Sequence, residues 1–345
     1  MTVLVTGGAG YIGSHMVHAL VDAGRRVVVL DDLSTGFRWA LPRQARLIVG
    51  DIGDQMLVEK LIAEHEVTAI LHFAGSIVVP ESIRDPLGYY LNNTVKTRAV
   101  LAAAVAAGVG RFVFSSTAAV YGTPAVCPVT EDAPTLPLNP YGASKLMSER
   151  MLADTAAAHD FRFVALRYFN VAGADPAGRT GLSTRGATHL LKIACETALG
   201  RRPVMEVFGT DYPTADGTGV RDYIHVSDLV AAHLLALQHL EGGGESGVFN
   251  CGYGRGFSVL EVIEAVRRVS GHDFPVVYGP RRPGDAAMVI ADSRRLADTF
   301  GWRPRYDRLE TIVAHALAWE DRLMRGGARE GQSRREDREE ERVGA

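Results

Sequence analysis

The sequence predicts an α/β protein: a doubly wound parallel sheet joined to a smaller α/β unit. Three observations carry this reading. Short β-branched runs alternate with longer amphipathic or Ala-rich stretches through the first half. A glycine-rich turn links the first such run to the first amphipathic stretch. From about Asp175 the rhythm breaks into Gly- and Pro-rich connections around shorter elements. At ~150 residues per unit, the 345 residues correspond to about two units.

Strands are expected at Val3–Thr6, Arg26–Leu30, Arg46–Val49, Ala69–His72, Phe112–Ser115 and Phe163–Arg167. Helices are expected near Tyr11–Ala23, Met56–His65, Tyr89–Ala107 and Pro140–His159. Parallel strands need right-handed crossovers, so six of them require helices on both faces. Ala187–Leu199 and Ser227–His239 read as further helices, and Gly247–Cys251 as a buried strand able to return to the first sheet. The expected division is therefore 1–175 with returning segments near 225–252, then 176–224 together with 253–323. In the last stretch, 326–345, 11 of 20 residues are charged, a composition expected to stay disordered.

Composition excludes several classes. Lys+Arg 37 against Asp+Glu 40 leaves a net charge of −3, which supplies no field for nucleic acid. The longest apolar run, Ala99–Gly110, has 12 residues, short of the ~20 that span a bilayer, so no membrane partner is expected. Cys127, Cys195 and Cys251 show no C-x-x-C spacing; neither a disulfide framework nor a metal site is expected, and a reducing cytoplasm fits.

Thr6-Gly7-Gly8-Ala9-Gly10-Tyr11-Ile12-Gly13 joins the first strand to the first helix. Glycines at 7, 10 and 13 permit a sharp turn, close approach of backbone to a pyrophosphate, and close helix–sheet packing. The helix N-terminus then offers unpaired N–H groups to phosphate. Asp31-Asp32 close the second strand, where a carboxylate accepts from ribose hydroxyls and repels a 2′-phosphate, favouring NAD over NADP. Asp51 and Ile52 are placed to bracket adenine, and Phe73-Ala74-Gly75 to let backbone reach the phosphates. The fold expectation thereby sharpens to a Rossmann-type sheet.

Thr117 follows Ser115 at the end of the fifth strand, and Tyr141 and Lys145 lie four residues apart on the next helix, hence on one face. A neighbouring ammonium favours the phenolate, so the pairing predicts a Tyr141 pKa below its ordinary ~10 and a base near neutral pH. Thr117 adds a hydroxyl for the same substrate oxygen.

On these motifs, and on Phe169-Asn170-Val171-Ala172-Gly173, Asp211-Tyr212-Pro213-Thr214 and Gly219 to Val226, the chain resembles the extended short-chain dehydrogenase/reductase family, specifically its NAD-dependent nucleotide-sugar epimerases. The resemblance covers Val3 to about Arg322. It implies interconversion of UDP-glucose and UDP-galactose by inversion at sugar C4 through a 4-keto intermediate, with NAD retained. It implies Tyr141 as base, Lys145 and Thr117 as its partners, and cofactor contacts from Tyr11, Ile12, Asn92, Ser115 and Tyr168. For the UDP-sugar it implies Asn170, His189, Leu190, Val207, Phe208, Arg221, Tyr223, Arg282, Asp285 and Val289. It also implies a homodimer through a four-helix interface built from Tyr89–Ala107 and Pro140–His159.

The chain departs from the family pattern at three positions. Ile77 stands where many members carry a lysine, His189 where some carry an asparagine, and Val289 where some carry a tyrosine that closes the sugar pocket. The smaller valine leaves UDP-N-acetylglucosamine or a UDP-pentose open as substrates. Ala118-Ala119 after Thr117 lack the acid/base pair that a 4,6-dehydratase needs. A non-catalytic NAD sensor has no use for Tyr141 and Lys145.

Overall fold

A computed structural model describes all residues except 185, 187, 283–284 and 344–345, with side chains described as far as Gly326. Seven parallel strands form the main sheet in the order Gly247–Cys251, Arg162–Tyr168, Arg111–Thr117, Val67–His72, Thr2–Thr6, Arg26–Asp31 and Arg46–Val49. Their near-continuous apolar runs follow from burial on both faces. Because side chains alternate along a strand, Val3, Val5, Val27 and Val29 pack to one side, and Leu4, Val28 and Leu30 to the other. Helices Tyr11–Asp22 and Val226–Glu241 cover the first side through Met16, Leu20 and Leu237. Helices Gln55–His65, Lys96–Ala106 and Pro140–Ala158 cover the second, where Val58, Val100 and Leu152 meet Phe112 and Phe114.

The strand order reverses at Thr2–Thr6, whose neighbours Arg26–Asp31 and Val67–His72 run off in opposite directions. A doubly wound sheet opens a crevice at the carboxyl ends of the strands flanking that reversal. The glycine turn, Asp31 and Phe73–Gly75 all lie at those ends.

A second layer forms from shorter pieces. Val220–His225 pairs with Gly256–Ser258, Met288–Val289 and Asn170–Ala172, while Met205–Phe208 pairs with Val276–Gly279. Helices Leu190–Ala198 and Val259–Ser270 and the start of Leu309–Val343 enclose a separate core of Leu191, Met205, Val262, Ile263 and Ile312. Ser258 and Glu261 close the first turn of Val259–Ser270 as a capping box. The helix Leu309–Val343 carries the backbone into the charged stretch. The side chains of 327–345 lie outside the described residues, and the expectation for that tail with them.

One expected helix is corrected. Tyr89–Ala107 is not a single α-helix: Pro86–Tyr89 leads into a π-type turn over Tyr90–Val95, and regular helix resumes at Lys96. The wider turn rotates the side chains that follow it, and such insertions gather at functional sites. Here the turn carries Asn93, which is buried against Ser76 and Ser144.

Candidate active site

The glycine turn is closed tightly by its neighbours. Gly7 has φ +67°, and a Cβ there would fall 2.5 Å from the Ala74 nitrogen; at Gly13 it would fall 2.1 Å from the Gly7 carbonyl oxygen. Only glycine fits at either place, so backbone rather than side chain lines the crevice. Asp31 is buried, and its carboxylate accepts from the Ala9 and Leu33 N–H groups at 2.8 Å each. It therefore fixes the turn to the second strand end. Burial raises its pKa, with the two backbone bonds opposing.

The remaining cofactor-side expectations distribute around this cradle. Phe73 donates its N–H to the Thr6 carbonyl at 2.9 Å, which brings Ala74 and Gly75 beside Gly7. Tyr11 opens the first helix and donates its hydroxyl to the Gly173 carbonyl at 2.6 Å; Ile12 packs on the core. Ile52 is buried, while Asp51 pairs with Lys96 at 2.7 Å. Asn92 donates only to the Ser76 hydroxyl, at 2.8 Å. Its neighbour Asn93 is 1 % exposed and engaged by protein on both sides of its amide: it accepts from the Ser76 N–H at 2.7 Å and donates to the Ser76 carbonyl at 2.9 Å and to Ser144 Oγ at 3.0 Å, so it braces the loop after Gly75. No pattern in the sequence announces the π-type turn that carries both asparagines.

Tyr141, Lys145 and Thr117 are brought together, as their spacing requires. Asn139 caps the helix Pro140–Ala158 by accepting from the Gly142 N–H, which sets Tyr141 in the first turn. The Thr117 hydroxyl faces the Tyr141 phenol, where it favours the phenolate, and itself accepts from the Ala119 N–H at 3.1 Å. Lys145 is 2 % exposed and donates to the Ser115 carbonyl at 3.0 Å, its ammonium 5.0 Å from the centre of the Phe114 ring. A Cβ at Gly75 would lie 3.4 Å from that ammonium, so Lys145 reaches the cradle itself. Ser115 and Tyr168 share a short hydroxyl–hydroxyl bond alongside.

The expected lowering of the Tyr141 pKa is corrected. Burial raises it, with the neighbouring Thr117 hydroxyl opposing. The reason is geometric: Lys145 spends its hydrogen bond on Ser115 rather than on the phenol. Burial also lowers Lys145 to about 8, with Glu149 opposing. Lys145 is thus a cation held in an apolar place, close to losing its proton at neutral pH.

The nucleotide-side residues form a second group. Asn170 is exposed on its strand and pairs through backbone with Tyr223, which is buried. Arg221 occupies the adjacent strand position, in register with Val289 and Phe257. Arg282 pairs with Asp285 at 3.3 Å and lies 4.6 Å from the Phe208 ring centre; Val207 is buried beneath. Arg281, not singled out from sequence, pairs with Asp211 at 2.6 Å and stacks on Tyr212 at 4.2 Å. Pro283 and Gly284 lie outside the described residues. His189 precedes Leu190 at the start of the helix Leu190–Ala198, and its Nδ1 is buried without a partner. Val289 is buried with Phe169, Tyr121 and Ala118. Ile77, the position of the missing lysine, is exposed.

Among the described residues no group of His, Cys, Asp or Glu is arranged to hold a metal, and no helix is long and apolar enough to cross a membrane. The cradle fits a dinucleotide: a close backbone turn, a helix N-terminus and a strand-end carboxylate stand together.

Residues 3–252 match the model of the NAD dependent epimerase/dehydratase family. The chain is 58 % identical to the UDP-glucose 4-epimerase of Azospirillum brasilense over 93 % of this chain and 92 % of that protein. It superposes on the UDP-glucose 4-epimerase of Brucella ovis in complex with NAD with a TM-score of 0.89, at 43 % identity, covering 92 % of this chain and 97 % of that one. The Bifidobacterium longum enzyme in complex with NAD+ and UDP gives 0.89 at 39 % identity, covering 93 % and 98 %. The cradle, the Tyr141–Lys145 helix and these similarities agree: the chain belongs to the NAD dependent epimerase/dehydratase family.

Proposed function

We propose that this chain is a NAD-dependent UDP-sugar 4-epimerase interconverting UDP-glucose and UDP-galactose. The observation that carries the reading is the placement of Tyr141 beside the Thr117 hydroxyl in a buried site, one helical turn from a lysine that reaches the glycine cradle. NAD, when bound, supplies a reversible hydride acceptor. Gly7, Gly13 and Phe73–Gly75 form the wall that would hold it, and Asp31, which locks the turn, would accept from its ribose hydroxyls.

Tyr141 withdraws the proton of the sugar 4-hydroxyl as C4 is oxidised, and returns it when C4 is reduced on the opposite face. Thr117 hydrogen-bonds the same oxygen. The base form of Tyr141 is the phenolate, which burial disfavours, so the reaction depends on positive charge at the site to favour it, and the Lys145 ammonium supplies that charge. Arg221 and Arg282 hold the diphosphate, to which guanidinium groups give paired, charge-assisted hydrogen bonds. Asn170 and Asp285 complete that grip. A firm hold on the nucleotide and a loose one on the sugar let the keto sugar turn over without escaping.

Val289 favours a second, wider reading. A valine among Phe169 and Tyr121 leaves room beside the sugar for an N-acetyl group, so UDP-N-acetylglucosamine joins the candidate substrates. The protein also carries exposed Leu87, Leu91 and Val95, one helical turn apart, and exposed Met147. This apolar stripe fits a second copy of the chain in a four-helix homodimer. The test of the main reading is incubation with UDP-galactose, without added NAD, followed by chromatography for UDP-glucose. No conversion by folded, NAD-loaded protein would refute it.

A further inference from the structure

Behind Tyr141 and Lys145 the same helix face buries a third ionisable side chain. Glu149 follows Lys145 by one turn, and its carboxylate pairs with Arg167 at 2.6 Å; the Arg167 Nε lies a further 3.0 Å from Oε1. The Ser116 hydroxyl donates to the same Oε1. Arg167 also donates to the Tyr121 hydroxyl at 2.9 Å, which donates to Asn250 at 2.7 Å. Lys145, Glu149 and Arg167 are 2 %, 5 % and 6 % exposed, so the whole network lies away from water.

Stability alone does not account for such a network. Desolvating two charges offsets most of their attraction, and well-packed apolar residues often serve as well. Its position does account for it. Consecutive residues of one strand hold the two groups: the Ser115 carbonyl accepts from Lys145, and the Ser116 hydroxyl donates to Glu149. We propose that Glu149, held by Arg167 and Ser116, is a positioning residue whose fixed carboxylate keeps Lys145 protonated in the active site. This rests on the epimerase reading, because that reading is what gives the Lys145 charge its purpose.

The surrounding groups leave Glu149 as the counter-charge. From the neighbouring strands come His72, neutral at any working pH with its pKa lowered to about 3 by burial and then by Lys145, together with Tyr168 and Arg167. From the adjoining turns come Tyr121, and Tyr89 with Glu81, whose carboxylate accepts from the Tyr89 hydroxyl at 3.0 Å. On the far side of Asn250, Glu131 accepts from its N–H at 2.7 Å. Burial lowers Lys145 to about 8, and Glu149 is the charge that opposes this.

The chain holds only four lysines, Lys60, Lys96, Lys145 and Lys192, so carbon-13 labelling of lysine yields a spectrum simple enough to titrate one side chain. In NAD-loaded protein, with Lys145→Arg identifying the signal, Glu149→Gln should lower the Lys145 midpoint by about one pH unit, tenfold in proton affinity. The alkaline limb of the kcat profile should fall by the same amount. Glu149→Gln/Arg167→Met, which leaves no unpaired buried charge, removes a cation along with the carboxylate, so it should lower the midpoint in the same direction by less than the single variant, and it serves if the single variant fails to fold. An unmoved or raised midpoint in folded Glu149→Gln, or in the double variant where the single one does not fold, overturns the proposal. Wild-type conversion of UDP-galactose in the same buffers tests the epimerase reading separately, since the carbon-13 readout needs no turnover.

Discussion

An alanine at position 13 would place its methyl group 2.1 Å from the Gly7 carbonyl oxygen and 2.8 Å from the Gly8 Cα. Both obstacles are backbone, so no side chain can swing aside, and the turn must retreat by roughly 1 Å to restore van der Waals contact. That movement weakens the Gly10 N–H bond to the Gly7 carbonyl, now 3.2 Å, at about 1 kcal/mol. Alanine returns about 1 kcal/mol through its better helix propensity. Global stability should therefore change little. Ligand binding should not escape so lightly. Two backbone donors to phosphate, at about 1.5–3 kcal/mol each for bonds to a charged group, place the loss at roughly 3–6 kcal/mol, or a hundredfold to ten-thousandfold in NAD affinity. The assay is the nucleotide content of purified protein together with calorimetric titration of the stripped form. Gly24→Ala is the control: φ is +71° with nothing within 4 Å of the new methyl, so it should cost about 1–2 kcal/mol of stability and leave NAD binding alone. Wild-type NAD content and affinity in Gly13→Ala would refute the cradle.

Tyr141→Phe removes the hydroxyl that faces Thr117 and should slow conversion by about 10²–10⁴-fold, with bound NAD retained; full activity would show that another group moves the proton. Val289→Tyr should abolish turnover of UDP-N-acetylglucosamine while sparing UDP-galactose, read by parallel product chromatography. Leu91→Asp should convert the proposed dimer to monomers in sedimentation velocity, and a wild-type protein that sediments as a monomer would refute the four-helix pairing. Acid should destabilise the fold: burial lowers His15, His72 and His233 to about 4, 3 and 4, below their ordinary 6.5. The unfolded chain protonates first, so their contribution is complete above pH 6.5 and is lost as pH falls towards 4, at up to about 1.4 kcal/mol per unit for each histidine. Asp222, raised by burial to about 6, runs the other way, its contribution being lost as pH rises through 6, and one carboxylate does not cancel three histidines. Urea midpoints should be lower at pH 5 than at pH 7, and equal midpoints would contradict this.

What the sequence disclosed was local in origin. Glycines at 7, 10 and 13 and the spacing of Tyr141 to Lys145 are each set within one turn of chain, so the residues carry their geometry with them. The strands disclosed themselves because a sheet buried on both faces demands apolar runs. Features set by distant contacts were not legible. The π-type turn over Tyr90–Val95, which carries Asn92 and Asn93, has no signature in its own residues. Lys145 turns to Ser115, and Arg282 to Asp285 and Phe208, through contacts between elements. The Glu149–Arg167 pair joins a helix to a strand 18 positions away, and neither residue belongs to a motif. Trp39 and Trp319, stacked with centroids 6.1 Å apart across 280 positions, were likewise invisible.

The strand Gly247–Cys251 lies at the edge of the main sheet, hydrogen-bonded to Arg162–Tyr168. On the ribosome this delays completion of the sheet. After Tyr168 emerges, roughly 80 residues must follow before its partner exists, which at ~5–20 residues per second is roughly 4–16 s. Throughout that interval the backbone of a strand whose Phe163, Val164, Ala165 and Leu166 are all buried in the finished protein has an open edge, the kind of surface that recruits other chains. Nascent chains stopped before Gly247 should therefore aggregate, whereas those carried past Cys251 should stay dispersed.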